Sequence, residues 1–366
     1  MVSFLLPVIV AIAFAAASAD PAHGRAPGTA HADSAHGIPP PAHGSPPGTL
    51  RIWGHPQAEQ WLSQQAERFA RRHPGIRIET NLTGSDVGMA ALYTGQADIV
   101  LMGREATASE VQAFEWVHRY RPTAVPILTG SLDQAGKAPA LVIFVHRDNP
   151  VRSLSLAQLD GIFGTARDHG WHDGKPVPSA SRGAERDLRR WGQLGLDGAW
   201  LQRPIRMYAP DAESGTGKFF RVRVLADSNR MHWDALEEFA DPVHGAEDSG
   251  AHILAALAND PAGIAVSSLQ FARPEVKAVA LIGDAGEPVM PTPDALVSGR
   301  YPLARTVYAY INRPAQAPVD PQVMAWLTDV LGEQARGRED GAGFLPLSES
   351  RRLAAIRQLS ANQPAE

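Results

Sequence analysis

Gly54-His55-Pro56, Thr83-Gly84-Ser85 and Ser214-Gly215-Thr216 share one pattern: each sets a glycine among polar donors where an extended run gives way to helical spacing. At a helix start the first backbone N–H groups lack partners and the helix dipole is positive, so an anion is favoured there. Glycine lets the backbone come close to such a ligand, and Ser or Thr adds neutral donors. Taken singly, each segment is also an ordinary N-cap of the kind Ser and Thr supply in any α/β protein. Taken together, they point to capture of a small oxyanion with no bond made or broken. Arg104 would add charge-assisted hydrogen bonds, or else pair with Glu105 at the surface.

Other chemistries fail on inspection. Ser214-Gly-Thr-Gly-Lys218 resembles part of a P-loop, but Ala212 stands where its first glycine belongs, and Phe219 replaces the magnesium-binding hydroxyl. There is no Gly-x-Ser-x-Gly elbow, no His-Glu-x-x-His and no Asp/His cluster at metal spacing in the folded part. No catalytic residue, metal or cofactor is therefore expected; a phosphatase built from scattered Asp and His is the enzyme alternative. The 366 residues carry no cysteine, which removes disulfides, Cys-zinc sites and a lipid-modified N-terminal Cys. A formal net charge of −5 supplies no basic excess for nucleic acid, though one small anion needs only a local field.

The elements that would position these residues alternate. Leu50–Trp53 reads as a strand, followed by a helix with Ala58, Trp61, Leu62, Ala66 and Phe69 on one face. Ile76 and Ile78 mark a second strand, and Val87, Met89, Ala90 and Leu92 a short helix. Ile99–Met102 is a buried strand. This β-α-β-α-β order predicts a mostly parallel sheet covered by helices. Thr107-x-x-Glu110 is a capping box opening a helix with Val111, Phe114 and Val117 as its core stripe. Strands follow at 124–128 and 140–145, then a helix from Ser155, an irregular stretch over 164–204 and a strand at 205–208. Strands return at 276–282 and 306–311, and Asp320-Pro321 opens a long helix. Trp171, Trp191, Trp200 and Trp233 are expected to pack rather than stack on a sugar.

The chain begins with an apolar run, Phe4 to Ala17, before Ala17-Ser18-Ala19, which reads as a signal peptide over 1–19. Residues 20–48 are Ala, Pro, Gly and His with near-repeats, a linker unable to bury enough apolar surface to order itself. Its His23, His31, His36 and His43 either bind metal loosely or simply belong to a tether.

Several of these residues resemble one family. Thr83-Gly-Ser85, Gly95-Gln-Ala-Asp98, Arg104 and Thr107-x-x-Glu110 are similar to the first half of PstS-like phosphate-binding proteins of ABC transporters. Phe144-Val-His146 with Asp148-Asn-Pro150, Leu156-x-x-Leu159, Trp191-Gly-x-Leu194, Ser214-Gly-Thr216 with Phe220, Tyr301-Pro-Leu303 with Arg305, Tyr308-x-Tyr310 and Phe344-Leu-Pro-Leu347 follow in the family's order. The resemblance implies an α/β type II periplasmic-binding-protein fold, two lobes joined by two crossing segments and closing over the ligand. Lobe 1 would hold 49–145 and 272–360, and lobe 2 would hold 146–271. The implied site takes Gly54, His55, Thr83, Gly84, Ser85, Asp86 and Arg104 from the first lobe and Ser214, Gly215 and Thr216 from the second. The implied role is a monomeric periplasmic receptor delivering phosphate to an ABC membrane permease. Molybdate, tungstate or sulfate are alternative ligands, and a sensor or scaffold that has lost tight binding is an alternative role.

Two positions depart from the family pattern. His55 stands where many relatives have a hydroxyl residue, and Ala209 and Pro210 stand where many have an Arg before Ser-Gly-Thr. His55 either donates in place of the hydroxyl or faces solvent. Phosphate keeps a proton that sulfate lacks, so a carboxylate acceptor would select for it. Asp86, Glu105 and Glu213 are the candidates, each otherwise an acid near a helix N-terminus.

Overall fold

The computed structural model describes residues 48–134, 137–240, 249–335 and 343–361. The expected signal peptide and, apart from Gly48, the His-containing linker lie outside the described residues.

Two sheets organise the chain. The first has the order Arg77–Asn81, Thr49–Gly54, Ile99–Met102, Thr306–Ile311, Thr123–Thr129; the first three strands run parallel, and Thr306–Ile311 is antiparallel to both its neighbours. The second has the order Leu236–Phe239, Arg206–Pro210, Gly263–Ser267, Val142–His146, Val276–Ile282, Pro288–Val289, parallel through its first three strands and antiparallel along the rest of that path, with Ser153–Leu154 pairing parallel to Val276–Ile282. Ile99–Met102, Val142–His146 and Gly263–Ser267 are buried throughout, as expected of strands with helices on both faces.

The helices form where the sequence provides starts for them. Thr107 accepts from the Glu110 N–H while Glu110 reaches back to the Thr107 N–H at 2.7 Å, opening Ala108–His118. Ser155 and Gln158 make the same reciprocal cap at Leu156–Phe163. Asp320 accepts from the N–H groups of Gln322 and Val323, with Pro321 as first residue of Pro321–Ala335. The core stripe of Ala108–His118 differs from the expected one: Val111 and Phe114 are buried but Val117 faces out, and His118 takes the inner position with its ring against Phe114. Trp191 is buried and Trp200 packs edge-on against it, whereas Trp233 is half exposed.

The lobe boundaries differ from the expected ones. Val142–Val145 and Val276–Ile282 fall in the spans expected for lobe 1 and His146 in that expected for lobe 2, yet Val142–His146 and Val276–Ile282 pair with each other inside the second sheet. The chain therefore passes between sheets within 130–141 and again within 290–305. An all-apolar strand fits the middle of either sheet, and only its hydrogen-bonded neighbours distinguish them. The two passing segments bind each other: Gly130 N–H donates to the Arg305 carbonyl, Leu141 N–H to the Leu303 carbonyl, and the Tyr301 hydroxyl to the Leu141 carbonyl at 2.9 Å. Two crossings, as the resemblance implied, thus form one short hydrogen-bonded waist.

Candidate functional site

The carboxyl ends of the parallel strands in both sheets carry the glycine-containing loops, where α/β sheets place their ligands. In the first lobe, Gly84 N–H donates to the Gly54 carbonyl at 3.0 Å, tying two of the loops together. Gly54 must be glycine, because a Cβ there would lie 2.7 Å from the Leu101 carbonyl oxygen. Gly84 adopts φ 139°, open to glycine alone at low cost, and no side chain caps the Ser85–Tyr93 helix it introduces. In the second lobe, Ser214 caps Gly215–Val224: its Oγ accepts from the Gly217 N–H at 3.0 Å and donates to the Asp211 carbonyl at 2.7 Å.

These helix starts meet at a 120 Å³ cavity lined by His55, Ser85, Arg104, Gly215, Thr216 and Arg305, with Leu101, Ala138, Val307 and Phe344 among its apolar walls. Five of the ten expected site residues therefore share one cavity. The other five stand behind it or beside it. Gly54 and Gly84 shape the loops, Ser214 is a cap, Thr83 faces solvent, and Asp86 turns its carboxylate to Arg104 and Lys218. His55 Nδ1 accepts from the Gln57 N–H at 3.2 Å, which leaves Nε2 as the N–H of the neutral ring.

The cations of the site differ in how their charge is met. Arg104 is buried and donates to both Glu110 carboxylate oxygens at 2.7 Å and to Asp86 at 2.6 Å. Burial opposes its charge, but the Glu110 and Asp86 carboxylates more than compensate and raise its pKa. Its expected alternative partner, Glu105, contributes only a backbone carbonyl. Asp86 is partly desolvated, yet the Lys218 hydrogen bond and the Arg104 charge hold its carboxyl below the usual range.

Arg305, which the sequence pattern marks only by its place after Tyr301-Pro-Leu303, is the second cation of the cavity. It ends the second crossing segment, so it sits between the lobes. Its Nε donates to the Gly103 carbonyl at 2.8 Å, its Nη1 to Thr216 Oγ1 at 3.4 Å, and its guanidinium lies 5.2 Å over the Phe219 ring. Among the described residues none of its contacts is a carboxylate. Burial first, and then the nearby Arg104 cation, depress its pKa to about 10. The Glu105 charge offsets this only in part; a buried cation with no carboxylate in direct contact is costly, and an anion in the cavity would relieve that cost. The signal available in the sequence was Arg305 immediately before an apolar strand, within a motif already picked out for its order.

None of the three expected carboxylate acceptors lines this cavity. Asp86 is held as described. Glu105 accepts from the Tyr308 hydroxyl at 3.4 Å and faces Arg223, while Glu213 pairs with Arg221 at 2.6 Å.

Comparison with known proteins follows the same lines. The model of a family described as "PBP superfamily domain" matches residues 39–333. The chain is 29% identical over 315 residues to a phosphate-binding protein PstS of Pseudomonas aeruginosa, covering 85% of this chain and 87% of that protein. It is 26% identical over 303 residues to a protein SphX of Synechococcus elongatus, covering 81% and 77%. Among solved structures, an ABC-type phosphate transport receptor from Vibrio cholerae superposes with a TM-score of 0.53 at 19% identity, covering 81% of this chain and 99% of that one. That last likeness is one of fold.

Proposed function

From the premise that this chain belongs to the PBP superfamily, we propose that it is a binding protein that captures phosphate between its lobes for import by an ABC transporter. Its architecture is the two-lobed type II periplasmic-binding-protein fold. The observation that carries the reading is Arg305, a buried cation with no carboxylate partner among the described residues, facing a cavity of 120 Å³ beside two helix N-termini. A phosphate there would receive N–H groups from the starts of Ser85–Tyr93 and Gly215–Val224, hydroxyls from Ser85 and Thr216, and the charge that Ala209 and Pro210 do not provide. The names of the relatives, two of them phosphate proteins, support the same ligand. The receptor would act as a monomer outside the cytoplasm, exported by its first 19 residues, and pass phosphate to a membrane permease.

A second reading has its own observation. Asp86, Glu105 and Glu213 all turn to cations or a hydroxyl rather than to the cavity, which favours a site that also accepts sulfate or molybdate. Titration calorimetry of the full chain, stripped of ligand by unfolding and refolding, separates these. Micromolar or tighter phosphate binding with sulfate at least about a hundredfold weaker is expected for a phosphate receptor. Equal affinity for sulfate would support the second reading. No heat with phosphate, sulfate or molybdate, from protein shown to be folded, would contradict both and favour a sensor or scaffold.

A further inference from the structure

A line of alternating charges runs beside the cavity and crosses between the lobes. Glu110 holds Arg104, and Arg104 holds Asp86, whose second oxygen meets Lys218 Nζ of the other lobe at 2.6 Å. Lys218 lies 3.8 Å from Glu213, Glu213 binds Arg221, and Arg221 lies 3.9 Å from Asp227. The line returns to the first lobe where Asp227 Oδ2 accepts from the Ala108 N–H at 2.5 Å, next to Thr107, whose own N–H donates to Glu110. Within this line the lobes are joined twice, once by Asp227 on a backbone N–H and once by Lys218 through charge; away from it Gln112 donates to the Gly174 carbonyl at 2.8 Å, Arg121 pairs with Asp173 at 3.1 Å and Arg223 lies 3.6 Å from Glu105.

Lys218 has the better leverage on the site. It stands two residues beyond Thr216, and its partner Asp86 stands one residue beyond Ser85, so the pair fixes the separation of the helix starts that line the cavity. Lys218 does not itself line the cavity. Its side chain is 14% exposed, Arg104 1% and Asp86 57%, so two cations grip a carboxylate that still touches water. Such a bridge is directional but open to screening by salt.

We propose that Lys218 is a positioning residue of the anion site: its cross-lobe ion pair with Asp86 holds the Ser85 and Thr216 helix starts at the spacing that grips the ligand. This rests on the reading that the cavity binds an anion, while its effect on lobe closure can be measured without one.

The chain contains no cysteine, so cysteines introduced at the exposed positions Gln60 and Glu185 take spin labels, one on each lobe, without competition. In the ligand-free full chain, Lys218→Met is expected to lengthen the interlobe distance, and so is high salt in the wild type. In parallel, Lys218→Met is expected to weaken inorganic phosphate binding about tenfold. Lys218→Arg should restore both. Distance and affinity that are unchanged by Lys218→Met would overturn the proposal. Weakened binding with an unchanged distance would overturn it too, since Lys218 would then act on the anion directly. A longer distance in a protein whose wild type binds no phosphate would leave the latch standing and remove the phosphate reading instead.

Discussion

Arg305→Met is expected to weaken phosphate binding by about 2–5 kcal/mol, or roughly 30- to 5,000-fold, while leaving the protein equally or more stable. The two effects have one cause. Arg305 is a buried charge whose contacts among the described residues are the Gly103 carbonyl, the Thr216 hydroxyl and the Phe219 ring, with the Glu105 charge offsetting its burial only in part. Met keeps much of the stem volume against Phe219 and removes a charge that folding must bury. With the anion present, the same charge is its main attraction. Calorimetric titration with thermal melts of the free variant reads both quantities. Lost affinity with a lowered melting temperature would indicate a damaged fold, and unchanged affinity would exclude Arg305 from the site.

The pH dependence has a definite sign. With a pKa depressed to about 10 by burial and by Arg104, free Arg305 loses its proton as pH rises through that value. The anion favours the protonated form, so binding raises the pKa and takes up a proton above it. Over the range where phosphate is already a dianion, affinity should be flat below about pH 9 and fall as pH rises through 10. Arg305→Met should remove that fall.

The largest stability effect is expected far from the cavity. Trp191 is fully buried in the second lobe, donates its indole N–H to the Ala262 carbonyl at 2.8 Å and meets Trp200 edge-on at 6.2 Å. Trp191→Ala should cost about 3–5 kcal/mol, combining lost burial, the cavity left behind and a buried carbonyl without its donor. Urea unfolding followed by fluorescence of the remaining tryptophans should show a lower midpoint. The folded fraction should keep its affinity for phosphate, because Trp191 does not line the cavity. A cost below about 1 kcal/mol would mean that the ring is not the anchor its burial suggests.

What the sequence made legible follows from the range of the forces involved. Val276–Ile282 and Thr306–Ile311 were expected over the spans that form, and the Thr107–Glu110 and Ser155 helix starts lie where the spacing put them. Those features are set within a few residues by alternation and by caps. The lobe boundary was not legible, because Val142–His146 reads as a buried strand whichever sheet receives it. Ser85 and Thr216 could be named from local pattern, yet Thr83, with the same pattern, points to solvent. Arg104 looked like the cation of the site because its partners, Glu110 and Asp86, are separated from it by 6 and 18 residues. Arg305 acquires its position from the waist between the sheets, a feature made by pairing across 160 residues or more.

Whether Arg305 and the two helix starts hold a tetrahedral oxyanion can be seen by crystallising the ligand-stripped full chain with arsenate, a tetrahedral analogue of phosphate with an anomalous signal. One arsenic position is expected in the cavity between Ser85, Thr216 and Arg305, within hydrogen-bonding distance of the Arg305 guanidinium. An empty cavity at saturating arsenate, or an anion bound elsewhere with Arg305 untouched, would contradict that placement.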